Sequence, residues 1–292
     1  MSWILTHARR AFRAATAVPR ATILALSNLL SFTNDSVEGY GDDYSGDAVG
    51  DNRSRPIQPG RCYDFDGVDD YVDVLDSVVG GHDFTGLSDN ITVTAWVNAD
   101  AVSDTGSASS WVLGHTIVEL RTQQTTGTHA PFSFGFNTSK LALGVADNYV
   151  SSFDKVNGAT TISTAQWYHV AMVISGDAYT LYLNGASDGS GTFSSATGDR
   201  SVGTTSCNLQ IGSRSRDDGT KGAALFDGKI YDLRIYEQSL SSDNIAYIYN
   251  DGSSGTDPGT TNLLTQFKMD ESSGTTSYDS SGNSNDGTLT SG

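Results

Sequence analysis

The amino-acid pattern predicts an all-β protein built as an antiparallel sandwich, and four observations carry this. Residues 167–185 read as a hairpin: Trp-Tyr-His-Val-Ala-Met-Val-Ile, a Ser-Gly-Asp-Ala cluster, then Tyr-Thr-Leu-Tyr-Leu-Asn-Gly. Short β-prone runs recur through the body, separated by Gly, Asn, Asp and Ser clusters. With 32 Gly against 5 Pro, the turns rely on residues that tolerate positive φ. Finally, a single stretch of the body, 241–250, carries a convincing helical pattern.

Residues 1–32 form a basic, apolar arm. Ile4, Ala8, Ala11, Ala15 and Val18 recur at helical spacing, with Arg9, Arg10, Arg13 and Arg20 mostly off that stripe and Pro19 breaking it. The Leu-rich run 21–32 is too short to span a bilayer, so no transmembrane span is expected. A basic stretch before an apolar run also fits a secretory signal, although no small-x-small cleavage site follows. The preferred reading is an arm that anchors the protein to other structural subunits of an assembly. Residues 33–60, polar and rich in Gly and Asp, read as a linker.

The sandwich is expected over 61–252. Its strands are placed at 62–66, 70–75, 91–98, 111–121, 132–137, 140–146, 166–175, 178–184, 207–212 and 228–236. Along the first hairpin run, Tyr168, Val170, Met172 and Ile174 share one face; Trp167, His169, Ala171 and Val173 share the other. Both faces are largely apolar, so this strand is expected to lie centrally and be covered on two sides. In the second run Tyr179, Leu181 and Leu183 oppose Thr180, Tyr182 and Asn184. The stretches 99–110 and 186–206, rich in Ser, Thr and Gly, read as loops. Ser241 or Ser242 caps the helix, Ile245 and Ile248 face inward, and Asp251-Gly252 stops it. Cys62 and Cys207 fit either a disulfide or two free buried thiols.

Four stretches in this order resemble the laminin-G-like and pentraxin-like domains of the concanavalin-A-like lectin and glucanase superfamily. They are Phe65-Asp66-Gly67-Val68-Asp69-Asp70-Tyr71-Val72, Ile91-Thr92-Val93-Thr94-Ala95-Trp96-Val97, the 167–185 hairpin, and Asp227-Gly228-Lys229-Ile230-Tyr231-Asp232-Leu233-Arg234-Ile235-Tyr236. The resemblance covers roughly 61–250 and implies a jelly-roll sandwich with a short helix after its closing strand. It leaves function open, because one fold hosts lectins, hydrolases and scaffolds. Residues 253–292 form a linker plus a tail. In the tail, Phe267-Lys268-Met269-Asp270-Glu271 and Asp279-Ser280-Ser281-Gly282-Asn283 look like the segment that normally opens such a domain. Docking on the chain's own sandwich is favoured over donation to a neighbour, since a sheet without its opening strand would expose an edge.

The net charge is −17; the first 34 residues contribute +4, so the rest carries −21. That argues against nucleic acid as a partner. Asp66, Asp69 and Asp70 cluster in one turn around Gly67, and hard oxygens on such a turn suit Ca2+. The resemblance also implies a structural calcium near this turn in some members. The alternative is that these carboxylates cap turn amides. Asp279, Asn283, Asn285 and Asp286 form a second oxygen-rich loop. For surface glycans the candidates are His115, Glu119, Arg121, Asp147, Asn148, Arg214 and Asp217; Glu119 and Arg121 share one side of their strand. His169, Trp96, Trp111 and Trp167 read as packing residues first.

Glucanases on this fold carry Glu-x-Asp-x-x-Glu, placing two carboxylates about 5 Å apart. The four Glu here are Glu38, Glu119, Glu237 and Glu271, and that motif is absent. The sequence therefore points to a non-enzymatic recognition or structural subunit on a larger assembly, such as a phage-like virion decoration, facing host glycans. The competing readings are a secreted or surface-attached calcium-dependent lectin and, less favoured, a glycoside hydrolase. Either a virion or an extracellular surface is the expected location.

Overall fold

The computed structural model describes residues 61–75, 89–104, 106, 110, 112–122, 129–147, 152–196, 207–214 and 224–290. The arm, the linker 33–60, Trp111, Asn148, Asp217 and the side chain of Cys207 lie outside the described residues.

Among the described residues, fifteen strands and one helix follow in order. They are β1 (Tyr63–Asp66), β2 (Tyr71–Leu75), β3 (Asn90–Ala99), β4 (His115–Thr122), β5 (His129–Asn137), β6 (Lys140–Ala146), β7 (Phe153–Thr161) and β8 (Trp167–Ser175). Then come β9 (Ala178–Leu183), β10 (Ala186–Thr192), β11 (Cys207–Ile211), β12 (Asp227–Tyr236), helix α1 (Ser242–Tyr249), β13 (Leu263–Phe267), β14 (Thr276–Ser277) and β15 (Gly287–Thr290). The first sheet runs β1-β12-β3-β8-β9-β10, with β13 also on β12; the second runs β14-β15-β2-β11-β4-β5-β6-β7. The named strand pairs are antiparallel.

The main core fills the space between the sheets. Val170, Met172 and Ile174 of β8 and Leu181 of β9 meet Phe132, Phe134 and Phe136 of β5 and Leu209 and Ile211 of β11. The opposite face of β8 and β9 builds a second cluster, in which Ala171, Val173 and Tyr182 pack under Ile245 and Ile248 of α1. The central strand is thus apolar on both faces because each meets its own cover. Ser241 caps the helix by accepting from the Asn244 amide, and Asn244 returns a bond to the Ser241 amide. Asp251 and Gly252 follow at φ 48 and 76 and end it.

Three segments differ from expectation. Residues 186–192, read as loop, form the edge strand β10, and β7 lies where the sequence pattern places no strand. Both are polar strands at sheet ends, where backbone pairing rather than apolar periodicity sets the conformation. Their edges are clipped together. Asp188 Oδ1 accepts the Thr160 amide at 3.0 Å, and the approach is so close that a Cβ on Gly158 would collide with Asp188 Oδ2. Asp154 accepts the amides of Ser194, Ser195 and Ala196 at 3.1, 2.8 and 2.8 Å. The expected strand 111–121 begins only at His115; Val112 and Leu113 are buried outside any strand.

The tail lies on the chain's own sheets. β13 pairs with the C-terminal half of β12, beyond β1, and the β14–β15 hairpin extends the second sheet past β2. Phe267 and Met269 enter the main core.

Candidate functional site

The 66–70 turn brings Asp66, Asp69 and Asp70 together, each offering one carboxylate oxygen within 4.8 Å of the others. Gly67 allows the turn, at φ 69. Part of the carboxylate capacity serves the turn itself. Asp66 Oδ1 accepts the amides of Val68 (2.8 Å) and Asp69 (3.1 Å), and Asp70 Oδ2 accepts the Asp66 amide (3.0 Å). Burial, reinforced by Asp66, Asp69 and Asp64, holds Asp70 above the usual carboxylate range. Asp227 is raised as well, by burial and then by Asp100, with Asp64 and Asp66 adding to it. The turn is thus a focus of negative charge built from carboxylate oxygens, the chemistry a hard cation takes.

Asp73, three residues past the turn, lies apart from it. It sits on the outer face of the second sheet, in register with Gln210, which is itself opposite Glu119, which is opposite Ser133. Gln210 Nε2 donates to Asp73 Oδ1 at 3.3 Å, and Ser213 donates to Gln210 Oε1 at 3.3 Å. Arg214 Nε lies 4.0 Å from Glu119 Oε1. The fold therefore brings Arg214 beside Glu119 and leaves Arg121 two residues further along the same face of β4, opposite Asn208, yet Glu119 and Arg121 are only 0 % and 7 % exposed. His115 is buried at the start of β4. Its Nδ1 faces Leu225 O at 3.2 Å and its Nε2 accepts the Asp104 amide at 3.4 Å, so both ring nitrogens hold loops in place. Asp147 stands two strands away, just past the end of β6. Asn148 and Asp217 lie outside the described residues.

His169 is a packed residue. It is 1 % exposed, its ring edge-on to Trp96 at 5.4 Å and tilted against Tyr249 at 5.8 Å. Burial drives its pKa down to about 3, so it is neutral in the folded protein. Trp96 stacks on Tyr249 at 5.7 Å. Cys62 is a free, half-buried thiol whose pKa burial raises.

The second oxygen-rich loop is spent on structure. Asp279 Oδ1 accepts the amides of Gln266 and Ser281, and Oδ2 accepts the Ser281 hydroxyl and the Asn285 amide. Asn283 and Asn285 donate to the carbonyls of Leu263 and Leu264. Glu271 is engaged too: Tyr63 donates its hydroxyl to Oε2 at 2.6 Å, and the Tyr278 amide donates to Oε1. Sequence reasoning missed this anchor, since 208 residues separate Tyr63 from Glu271.

Solved structures share the sandwich. A candidate carbohydrate-binding protein from Bacteroides ovatus ATCC 8483 is 18% identical, with a TM-score of 0.52 over 79% of this chain. This chain spans only 58% of that protein's length. The heptameric SAP-like pentraxin of Limulus polyphemus is 18% identical at TM-score 0.47, over 64% of this chain and 80% of that one. The CBM40 of the Ruminococcus gnavus IT-sialidase, bound to α2,3-sialyllactose, is 12% identical at TM-score 0.48, over 64% and 97% of the two chains. No curated protein matches the chain. A family model, Laminin_G_3, does match, over residues 66–246. Those residues hold β2 to β12 and most of α1, more than half of the sequence, and the protein belongs to the concanavalin A-like lectin/glucanase superfamily.

Proposed function

We propose that the protein is a carbohydrate-binding, lectin-like module that holds glycans without cleaving them. The family match over 66–246 carries the reading. Binding without hydrolysis is supported by the disposition of the acids, since retaining hydrolysis needs two carboxyl groups about 5 Å apart. Glu119 is buried beside Arg214, Glu271 is held by Tyr63 and Tyr278, and Glu237 lies beyond the end of β12. The Asp66, Asp69 and Asp70 carboxylates do lie within 4.8 Å of one another, but they serve their own turn: Asp66 accepts the Val68 and Asp69 amides and Asp70 the Asp66 amide.

Calcium is the cofactor proposed for the 66–70 turn. Three side-chain oxygens fall short of the roughly 6–8 that Ca2+ takes, so water or backbone carbonyls would complete the shell. An exposed, partly engaged site of this kind belongs with the weak extracellular sites, Kd about 10⁻⁴ to 10⁻³ M. A glycan array probed with the full chain, in calcium and again in chelator, tests both statements. Binding in calcium lost in chelator is the expected result; no binding by folded protein in either condition overturns the lectin reading.

The arm favours a second reading, a structural subunit of an assembly such as a virion decoration. Its observation is the +4 charge and apolar helical stripe of residues 1–32 on an otherwise acidic chain. N-terminal sequencing of native protein tests it: an arm retained from Met1 or Ser2 supports the anchor, and a removed arm rejects it. On either reading the sandwich works on an extracellular or virion surface.

A further inference from the structure

Where the two sheets part at the β1 edge, the chain leaves a cleft of about 370 Å³. Its walls come from three places in the sequence. Tyr63 and Asp64 belong to β1, Asp70 and Tyr71 to the end of the acidic turn and the start of β2, and Thr275 and Leu289 to the tail. The volume lies in the range of small-molecule sites, roughly 300–1,000 Å³. The walls are built rather than accidental. Tyr63 is fixed at its hydroxyl by Glu271 and edge-on to Phe65 at 6.5 Å, while Lys229 holds Asp64 at 2.9 Å. The Leu289 amide donates to Thr275 O at 2.8 Å, locking the two tail segments to each other.

We propose that this seam cleft is the glycan subsite of the protein, and that it takes a neutral mono- or disaccharide. The inference rests on the lectin reading above. Tyrosine rings offer apolar faces of the kind a pyranose ring covers, and carboxylates and a threonine accept or donate to sugar hydroxyls. The charge on the walls sets the class. Asp64 and Asp70 line the cleft, with Asp66 and Asp69 in the adjoining turn and Lys229 already paired to Asp64. With Ca2+ on the turn the three Asp carboxylates still leave a net charge of −1, and Lys229 offsets only Asp64, so a sialic or uronic acid would bring its carboxylate against a wall that stays negative and anionic sugars are disfavoured. Because the tail supplies one wall, the subsite exists only when the segment after β13 is docked.

The test uses the full chain and two variants on an array carrying neutral and sialylated glycans. Thr275→Trp fills the cleft from an exposed position, and Asp64→Ala removes a hydroxyl acceptor from the wall. Matching thermal unfolding curves establish that each variant is folded. The expected result is binding of neutral glycans by the wild type and at least about tenfold weaker binding by Thr275→Trp, with a smaller loss for Asp64→Ala. Wild-type binding that Thr275→Trp leaves intact, or binding confined to sialylated glycans, overturns the cleft while leaving the lectin reading in place. No binding by the folded wild type overturns both.

Discussion

Replacing Asp279 by Ala should release the tail from the sandwich. The carboxylate accepts four hydrogen bonds: from the amides of Gln266 and Ser281 at 2.9 Å each, from the Ser281 hydroxyl at 2.7 Å, and from the Asn285 amide at 3.0 Å. The Ser281 hydroxyl has a second acceptor in Leu264 O, 3.3 Å away, and can turn to it. The half-buried amides of Gln266 and Ser281 have no such recourse. Bonds to a charged acceptor are worth about 1.5–3 kcal/mol when broken, so losing these two costs ~3 kcal/mol. That is a large share of a total stability of about 5–15 kcal/mol. In urea, with an m-value near ~3 kcal/mol per M for a domain of this size, the midpoint should fall by about 1 M. Asp279→Asn keeps an acceptor at Oδ1 but points an NH2 at the Asn285 amide, and should fall between the two. Hydrogen exchange at Leu289, whose amide bonds Thr275 O, should quicken in step. A midpoint for Asp279→Ala within about 0.2 M of wild type, with the m-value unchanged, would refute the assignment of this carboxylate as the tail's anchor.

Three further outcomes follow from the same structure. Hydrogen bonds from the amides of Ala196 and Ser195 and from Ser194 lower the pKa of Asp154 despite its partial burial, so it stabilises the fold above the unfolded value near ~3.9 and loses that contribution as pH falls through the folded one; acid unfolding of Asp154→Asn should be less steep than wild type over that window. His169 is neutral when folded and takes a proton when unfolded, so it costs stability progressively as pH drops from about 6.5 toward its folded value of about 3; stability measured from pH 7 to pH 4 should fall less in His169→Phe, and an unchanged slope would show that the ring is not desolvated. Gly228 sits at φ 129 with its missing Cβ directed at the Asn98 carbonyl of the neighbouring strand; Gly228→Ala should cost ~2 kcal/mol or more by thermal unfolding, and a neutral outcome would mean that β3 and β12 can part at that point.

Much of the architecture is legible in local pattern. The period-two alternation at 167–174 assigns Val170, Met172 and Ile174 to one face and Ala171 and Val173 to the other, and each set meets its own core. The helix announces itself by its cap at Ser241 and its stop at Asp251-Gly252, because both signals act over a few residues of backbone. The opening turn likewise shows its acidic cluster directly, since Asp66, Asp69 and Asp70 lie within five residues. The polar edge strands β7 and β10 carry no such mark: backbone pairing with the adjacent strands β6 and β9, rather than any apolar alternation of their own, sets their conformation.

The amino-acid sequence by itself determined the fold class, the faces of the central hairpin, the helix and the family, all of which follow from short-range periodicity and turn chemistry. Tertiary structure alone decided where the polar side chains work. It spent Asp279, Asn283 and Asn285 on the tail, buried His115, Glu119 and Arg121 behind loops and strands, and tied Tyr63 to Glu271 across the whole domain. It also opened the cleft between β1, β2 and the tail. The physical reason is that a hydrogen bond or a cavity wall depends on which strands become neighbours, and pairing such as β15 on β2 joins segments some 200 residues apart, beyond the reach of any local pattern.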